Sequence, residues 1–300
     1  MQPVTPETKA TLPQSTPTRA VAALIVANVA LAFGPWFVRL ADTGPVAAAF
    51  WRVALALPLL LGVVAWRDGR AIPRAVRLWP WLLAAGLAFA VDLGSWHIGI
   101  HRTTLANATL FGNCAVLIFP VYGFVAMRRW PTGMQALGLA LAAVGGVLLI
   151  GRSAELSARH LAGDLFCLLA GVLYAVYFIL MTRVRREVAP LPALALSSVA
   201  GVLPLLGIAL ALGERVWPGS WTPLIALALV SQIAGQGLMI YALGHLTPLV
   251  VGLALLLQPM VAATIGWLAY GERLTFTDAV GAVLVAAALA IVGMQRGGKG

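Results

Sequence analysis

Charge is scarce in this sequence. Asp, Glu, Lys and Arg make up 10 % of its 300 residues, against about 25 % in a soluble globular domain. So few charges cannot cover a water-facing surface, which argues against a cytosolic enzyme, a nucleic-acid module and a disordered regulator. Cysteine is scarcer still. Cys114 and Cys167 both lie in apolar runs, so the chain is neither a disulfide scaffold nor a cysteine-rich metal domain. Period-2 strand patterns are missing as well, which excludes a membrane β-barrel. The net charge of +10 is no nucleic-acid footprint, because the basic residues sit singly or in small groups between long apolar stretches.

Those stretches are what the chain has in abundance. Hydrophobic residues reach 61 %. A bilayer core about 30 Å thick needs about 20 apolar residues per helical span. Ten runs qualify: 20–40, 45–66, 79–100, 104–127, 133–151, 161–182, 191–212, 221–243, 247–270 and 276–294. Lipid cannot satisfy an open backbone, so all ten are expected to be helices. Residues 1–18, rich in Pro, Thr and Ser, read as a disordered cytoplasmic tail, and 296–300 as a second tail. The first run is too long for a signal-peptide core and reads as a retained helix. With the amino terminus inside, thirteen basic residues fall on the cytoplasmic side and six opposite, which places both termini inside. Arg52, within the second span, is left over; it is expected to snorkel or to pair with a nearby acid such as Asp42.

The chain also repeats itself. A shift of 144 residues lays His101 on His245, Thr103 on Thr247, Leu105 on Leu249 and Arg129 on Arg273. The repeats are 19–151 and 152–295. Each holds five spans, and an odd number turns the second half upside down in the membrane. Inverted repeats are common in secondary transporters, whose substrate site lies near the midplane between the halves. The expected fold is thus an all-α polytopic membrane protein of ten transmembrane helices in two inverted five-helix repeats.

Several stretches carry a resemblance. Gln258-Pro259 followed by Gly271-Glu272-Arg273-Leu274-Thr275, the early-helix Phe50-Trp51-Arg52 and the run Phe33-Gly34-Pro35-Trp36-Phe37-Val38 resemble motifs of the drug/metabolite transporter superfamily, in its ten-span EamA-type exporter branch. Within it the chain is most similar to bacterial amino-acid exporters of the YddG type. Arg128-Arg129-Trp130 departs from the glutamate turn usual in the first half, and Pro35 replaces a small residue. The resemblance implies a bacterial inner-membrane protein that exports amino acids, aromatic and neutral ones among them, and related metabolites. Export of other drug-like compounds is the alternative within the same superfamily.

Polar residues in a span are costly and mark function by default. Asp92 is the carboxylate nearest mid-membrane, and Ala88, Asp92, Ser95, Trp96 and Gly99 share a helix face. The shift sets Gln236 opposite Asp92, with Gln232 one turn earlier. Two readings of Asp92 stand: it lines a cavity, or it only fixes packing by bonding Gln236 or backbone. Further candidates for substrate binding are Asn28, Trp36, His97, Asn107, Cys114, Tyr174, Tyr177 and Gln258. Asn107 and Cys114, seven apart, share a face that Asn113 does not. For Cys114 and Asn113, interhelical packing is the competing reading. His97 and His101 have metal-ligand spacing but no third ligand, and packing competes with a cavity role for His97. Pro35, Pro120 and Pro259 interrupt helical bonding and are candidate hinges.

This lining has one carboxylate, one histidine, amides and aromatics, with no lysine or arginine expected among them. It suits a zwitterion better than a polyanion. Asp92 is a candidate proton carrier. No motif asks for a cofactor or metal, and no G-x-S-x-G, H-E-x-x-H or paired aspartates support an intramembrane enzyme. A channel would want repeated polar rings. The expected partners are a small zwitterionic amino acid and the bilayer, with no nucleic acid, and the chain is expected to be a monomer.

Overall fold

The computed structural model describes residues 17–67, 71–103, 108, 111–151, 159–270 and 276–297. Among them every regular element is helical. In chain order they are α1 (Pro17–Ala32), α2 (Gly34–Leu40), α3 (Pro45–Arg67), α4 (Ala71–Val76), α5 (Trp79–Ile100), α6 (Ala115–Met127), α7 (Gly133–Gly151), α8 (Leu161–Val184) and α9 (Pro190–Ala211). A continuous helix Thr222–Leu243 follows. It comprises α10 (Thr222–Ala226), a π-helical segment (Leu227–Gln236) and α11 (Gly237–Leu243). The chain then forms α12 (Pro248–Ala254), α13 (Leu257–Tyr270) and α14 (Phe276–Gly297). The first sixteen residues of the expected tail and the turn 271–275 lie outside the described residues, as do 152–158, where the second repeat was expected to begin.

Six helical stretches are long and apolar enough to cross a membrane, α1 and α2 together making one of them over Thr18–Leu40. Four shorter apolar helices, Ala115–Met127, Gly133–Leu148, Pro248–Val261 and Ala279–Ala288, stand where the other four spans were expected. The expected ninth span is broken between α12 and α13; residues 104–107 and 109–110 of the expected fourth span lie outside the described residues.

The 144-residue shift carries the outer bounds of the long helices of the first half onto those of the second to within two residues. Pro17 goes to Leu161, Leu40 to Val184, Arg67 to Ala211, and Ala115 to Pro259, two residues into α13. Packing follows the same rule. The extensive α5–α8 contact has its counterpart in α1 against Thr222–Leu243, and α5–α9 has its counterpart in α3 against the π segment. The pairs α3–α9 and α7–α14 map onto themselves.

Small residues let these helices approach. At the α5–α9 crossing, a Cβ on Gly86 would stand 2.3 Å from the Ser197 carbonyl oxygen, and one on Gly201 2.9 Å from that of Gly86. Between α6 and α12 the fit is reciprocal: the Pro120 ring fills the notch at Gly252, and the Pro248 ring the notch at Gly123.

One end of the bundle is stitched by polar contacts. Glu214 accepts hydrogen bonds from the backbone N–H of Val46 (3.2 Å) and Ala47 (2.8 Å) at the start of α3, where helical donors lack partners. Asp42 accepts from the Gly219 N–H (2.8 Å) and lies 3.6 Å from Arg215. Asp42 thus pairs with Arg215, which removes it as the expected partner of Arg52.

Candidate functional site

A cavity of about 100 Å³ lies between the two halves. It draws Pro35 from α2, Arg52 from α3, Asp92 and Trp96 from α5, Tyr174 from α8, Gln236 from the π segment and Gln258 from α13, with Gly112 and Asn113 just before α6. Asp92 and Gln236, equivalent under the shift, both face it.

Arg52 and Asp92 are the charged side chains of the lining, 4 % and 7 % exposed. No lysine or arginine was expected there. Arg52 neither snorkels nor reaches Asp42. Its Nε donates to Gln232 Oε1 at 3.0 Å, and its guanidinium lies over the Phe89 ring, 5.8 Å from the centroid. Gln232 Nε2 reaches Ser198 Oγ at 3.4 Å. Gln232 therefore positions Arg52 and stands outside the lining. Gln236, four residues on in the same π segment, faces the cavity.

Tyr174 donates its hydroxyl to Gln236 Oε1 at 3.3 Å, while Gln236 Nε2 is buried with no hydrogen-bond partner. Below Tyr174 the aromatic rings close up. Phe89 stacks on Tyr177 at 4.6 Å, Tyr174 meets Phe178 at 4.2 Å, and Phe119 meets Phe178 at 5.4 Å. Tyr177 is fully buried in this stack and does not line the cavity.

The other expected residues are distributed as follows. Asn28 donates to Leu24 O (2.8 Å) and accepts from Gln258 Nε2 (3.0 Å), so it holds Gln258 from behind. His97 is buried outside the lining, its Nδ1 2.7 Å from Pro45 O. A carbonyl only accepts, so Nδ1 carries the proton. Five residues from Asp92, His97 falls on another face of α5 and ties it to the start of α3. Among the described residues no cluster could hold a metal ion. Trp36 stacks on Phe37 at 5.6 Å, off the lining. Asn107 lies outside the described residues.

Asn113 lines the cavity and Cys114 does not, the reverse of the expected order. Cys114 Sγ instead points to Leu168 O at 3.7 Å. The cause is a local tightening of the helix. Cys114 N bonds Phe111 O, Val116 N bonds Asn113 O and Leu117 N bonds Cys114 O. These i→i+3 bonds change the helical phase. The equivalent place in the second half is tightened too: Leu255 N bonds Gly252 O, Leu256 N bonds Leu253 O and Gln258 N bonds Leu255 O. Both breaks deliver side chains to the cavity. Pro259 sits in the first turn of α13 and Pro35 in that of α2, where a missing N–H costs little. Pro120 is inside α6, against Gly252.

Comparison with known proteins accords with this layout. Two copies of the EamA-like transporter family match, over residues 18–151 and 161–294. An uncharacterized transporter of Archaeoglobus fulgidus is 27 % identical over 211 residues, 70 % of this chain and 75 % of its own. The threonine/homoserine exporter RhtA of Escherichia coli K12 is 29 % identical over 67 % of this chain and 68 % of its own. A solved crystal structure shares the fold with a TM-score of 0.76 over 94 % of this chain and 98 % of its own, at 15 % identity. With both of its halves matched in order, this multi-pass membrane chain belongs to the EamA-like transporter family.

Proposed function

We propose that the chain exports small zwitterionic amino acids by alternating access through the cavity between its halves. The supporting observation is the charge arrangement: one carboxylate, Asp92, and one guanidinium, Arg52, border one small cavity beside the unpartnered Gln236 Nε2. An ammonium group suits Asp92, and a carboxylate suits Arg52 and the Gln236 amide. A polyanion would meet Asp92. The name of the relative RhtA, a threonine/homoserine exporter, supports the same class. The setting we propose is a bacterial inner membrane, with ten spans, both termini cytoplasmic and a monomer as the working unit. The Asp42 end then faces outward, and Asp92 is the candidate for carrying a proton. Counterflow of the twenty amino acids into proteoliposomes tests the reading. Exchange of threonine-sized neutral amino acids is expected; exchange of none of the twenty refutes it.

A further inference from the structure

A groove of about 610 Å³ opens at the other end of the bundle, between Val64 and Arg67 of α3, Ala189–Pro192 at the start of α9, and Ile233–Tyr241 on the Thr222–Leu243 helix. Its walls are apolar except for Arg67 and Tyr241. The 144-residue shift gives this groove a counterpart. Ala189 corresponds to Pro45, Gly237 to Leu93, Leu238 to Gly94 and Tyr241 to His97. At the counterpart the helix ends touch: His97 Nδ1 is 2.7 Å from Pro45 O. The α3–α5 hairpin is thus closed at its open end, while its repeat mate, α9 with Thr222–Leu243, is splayed.

The splayed hairpin contains a residue that the closed one lacks. Arg185 is 8 % exposed and stands between the two helix ends. Its Nε donates to Ile240 O at 2.9 Å and its Nη1 to Val188 O. A Cβ on Gly244 would collide with the guanidinium. Ile240 O belongs to the last turn of its helix, where carbonyls lack helical partners and a cation is favoured. The residue equivalent to Arg185 is Ala41, which can hold nothing apart.

We infer that Arg185 is a strut that keeps the α9–(Thr222–Leu243) hairpin splayed, and that the other transport conformation is reached when Arg185 releases Ile240 O and this groove closes as its counterpart at His97–Pro45 is closed here. The inference rests on the alternating-access reading but not on any substrate. Arg185 is a positioning residue, since it is remote from the cavity lining.

Spin-label distances test it. Glu187 and His245, both exposed, flank the splayed end and are replaced by labelled cysteines in a full-length chain whose Cys114 and Cys167 are alanine. The otherwise native protein is expected to show a dominant long distance and a minor short one. Arg185→Met, which keeps the stem and removes the bonds, is expected to raise the short population at least threefold. Gly237→Leu fills the groove, since a Cβ there meets only Leu194 at an ordinary 3.7 Å, and is expected to abolish the short population. A single distance common to the native protein and both variants overturns the inference. A failed amino-acid counterflow with these shifts intact refutes the substrate reading alone. If Arg185→Met does not fold, persistence of the short population in Gly237→Leu still overturns it.

Discussion

Tyr174 and Gln236 meet across the two faces of the cavity, the tyrosine hydroxyl donating to Gln236 Oε1 at 3.3 Å. That bond fixes the amide so that its Nε2 stays buried without a partner. A buried donor held this way costs stability unless a ligand satisfies it. Gln236→Leu removes the donor and is expected to weaken substrate binding about tenfold or more, the worth of one hydrogen bond to a charged group. Binding isotherms with L-threonine check this, and an unchanged affinity would remove Gln236 from the site.

Arg52 and Gln232 form a second pair. Arg52→Ala leaves Gln232 Oε1 buried and unsatisfied, which costs about 1–3 kcal/mol. Thermal unfolding should drop accordingly and transport should be lost. In Gln232→Leu the guanidinium keeps Phe89 but loses its hydrogen bond at Nε. Transport should fall while folding survives, and full transport in this variant would count against a positioning role.

Close packing predicts where volume is forbidden. Gly86→Ala places a methyl on the Ser197 carbonyl and should destabilise by about 1–3 kcal/mol, as overpacking does. Gly62 and Gly207, with nothing within 4 Å of a Cβ, are the controls. Alanine at either should leave unfolding within about 0.5 kcal/mol of native.

The loop carboxylate Asp42 should give the stitched end an acid sensitivity. The Gly219 N–H holds its pKa below the ordinary carboxylate value, opposed by some desolvation and helped by Ser220 and Arg215. A depressed folded pKa stabilises above the unfolded value of about 3.9 and is lost as pH falls through the folded one. Asp42→Asn should therefore lower the unfolding temperature at pH 7 and make no difference once the pH is below the folded pKa. An equal deficit at both pH values would refute the linkage.

The prolines divide by position. Pro259, in the first turn after a broken helix, is expected to act as a hinge, so Pro259→Ala should slow transport severalfold with folding intact. Unchanged rates would show the break alone suffices.

Much of this was legible in the chain. Asp92, Gln236, Gln258, Trp96 and Tyr174 were singled out, and all line the cavity. The apolar runs foretold the six long helices, because a span needs about 20 apolar residues in a row; the short α4 lay between runs. One error originates in helical phase. Asn113 and Cys114 were placed on a regular α-helix, whereas i→i+3 bonds rotate that stretch. Gln232, expected beside Gln236 on the lining, is instead engaged by Arg52 and Ser198. Arg52 escaped because position near a span end suggests an interfacial charge, and only the fold shows Gln232 and Phe89 receiving it. His97 was decidable from its five-residue offset to Asp92.

The most direct measurement is counterflow of labelled L-threonine against three unlabelled compounds: L-threonine, 3-hydroxybutyrate, which lacks the ammonium, and 1-amino-2-propanol, which lacks the carboxylate. A cavity bordered by both Asp92 and Arg52 should exchange the zwitterion and neither fragment. Exchange driven equally well by either singly charged fragment would contradict it.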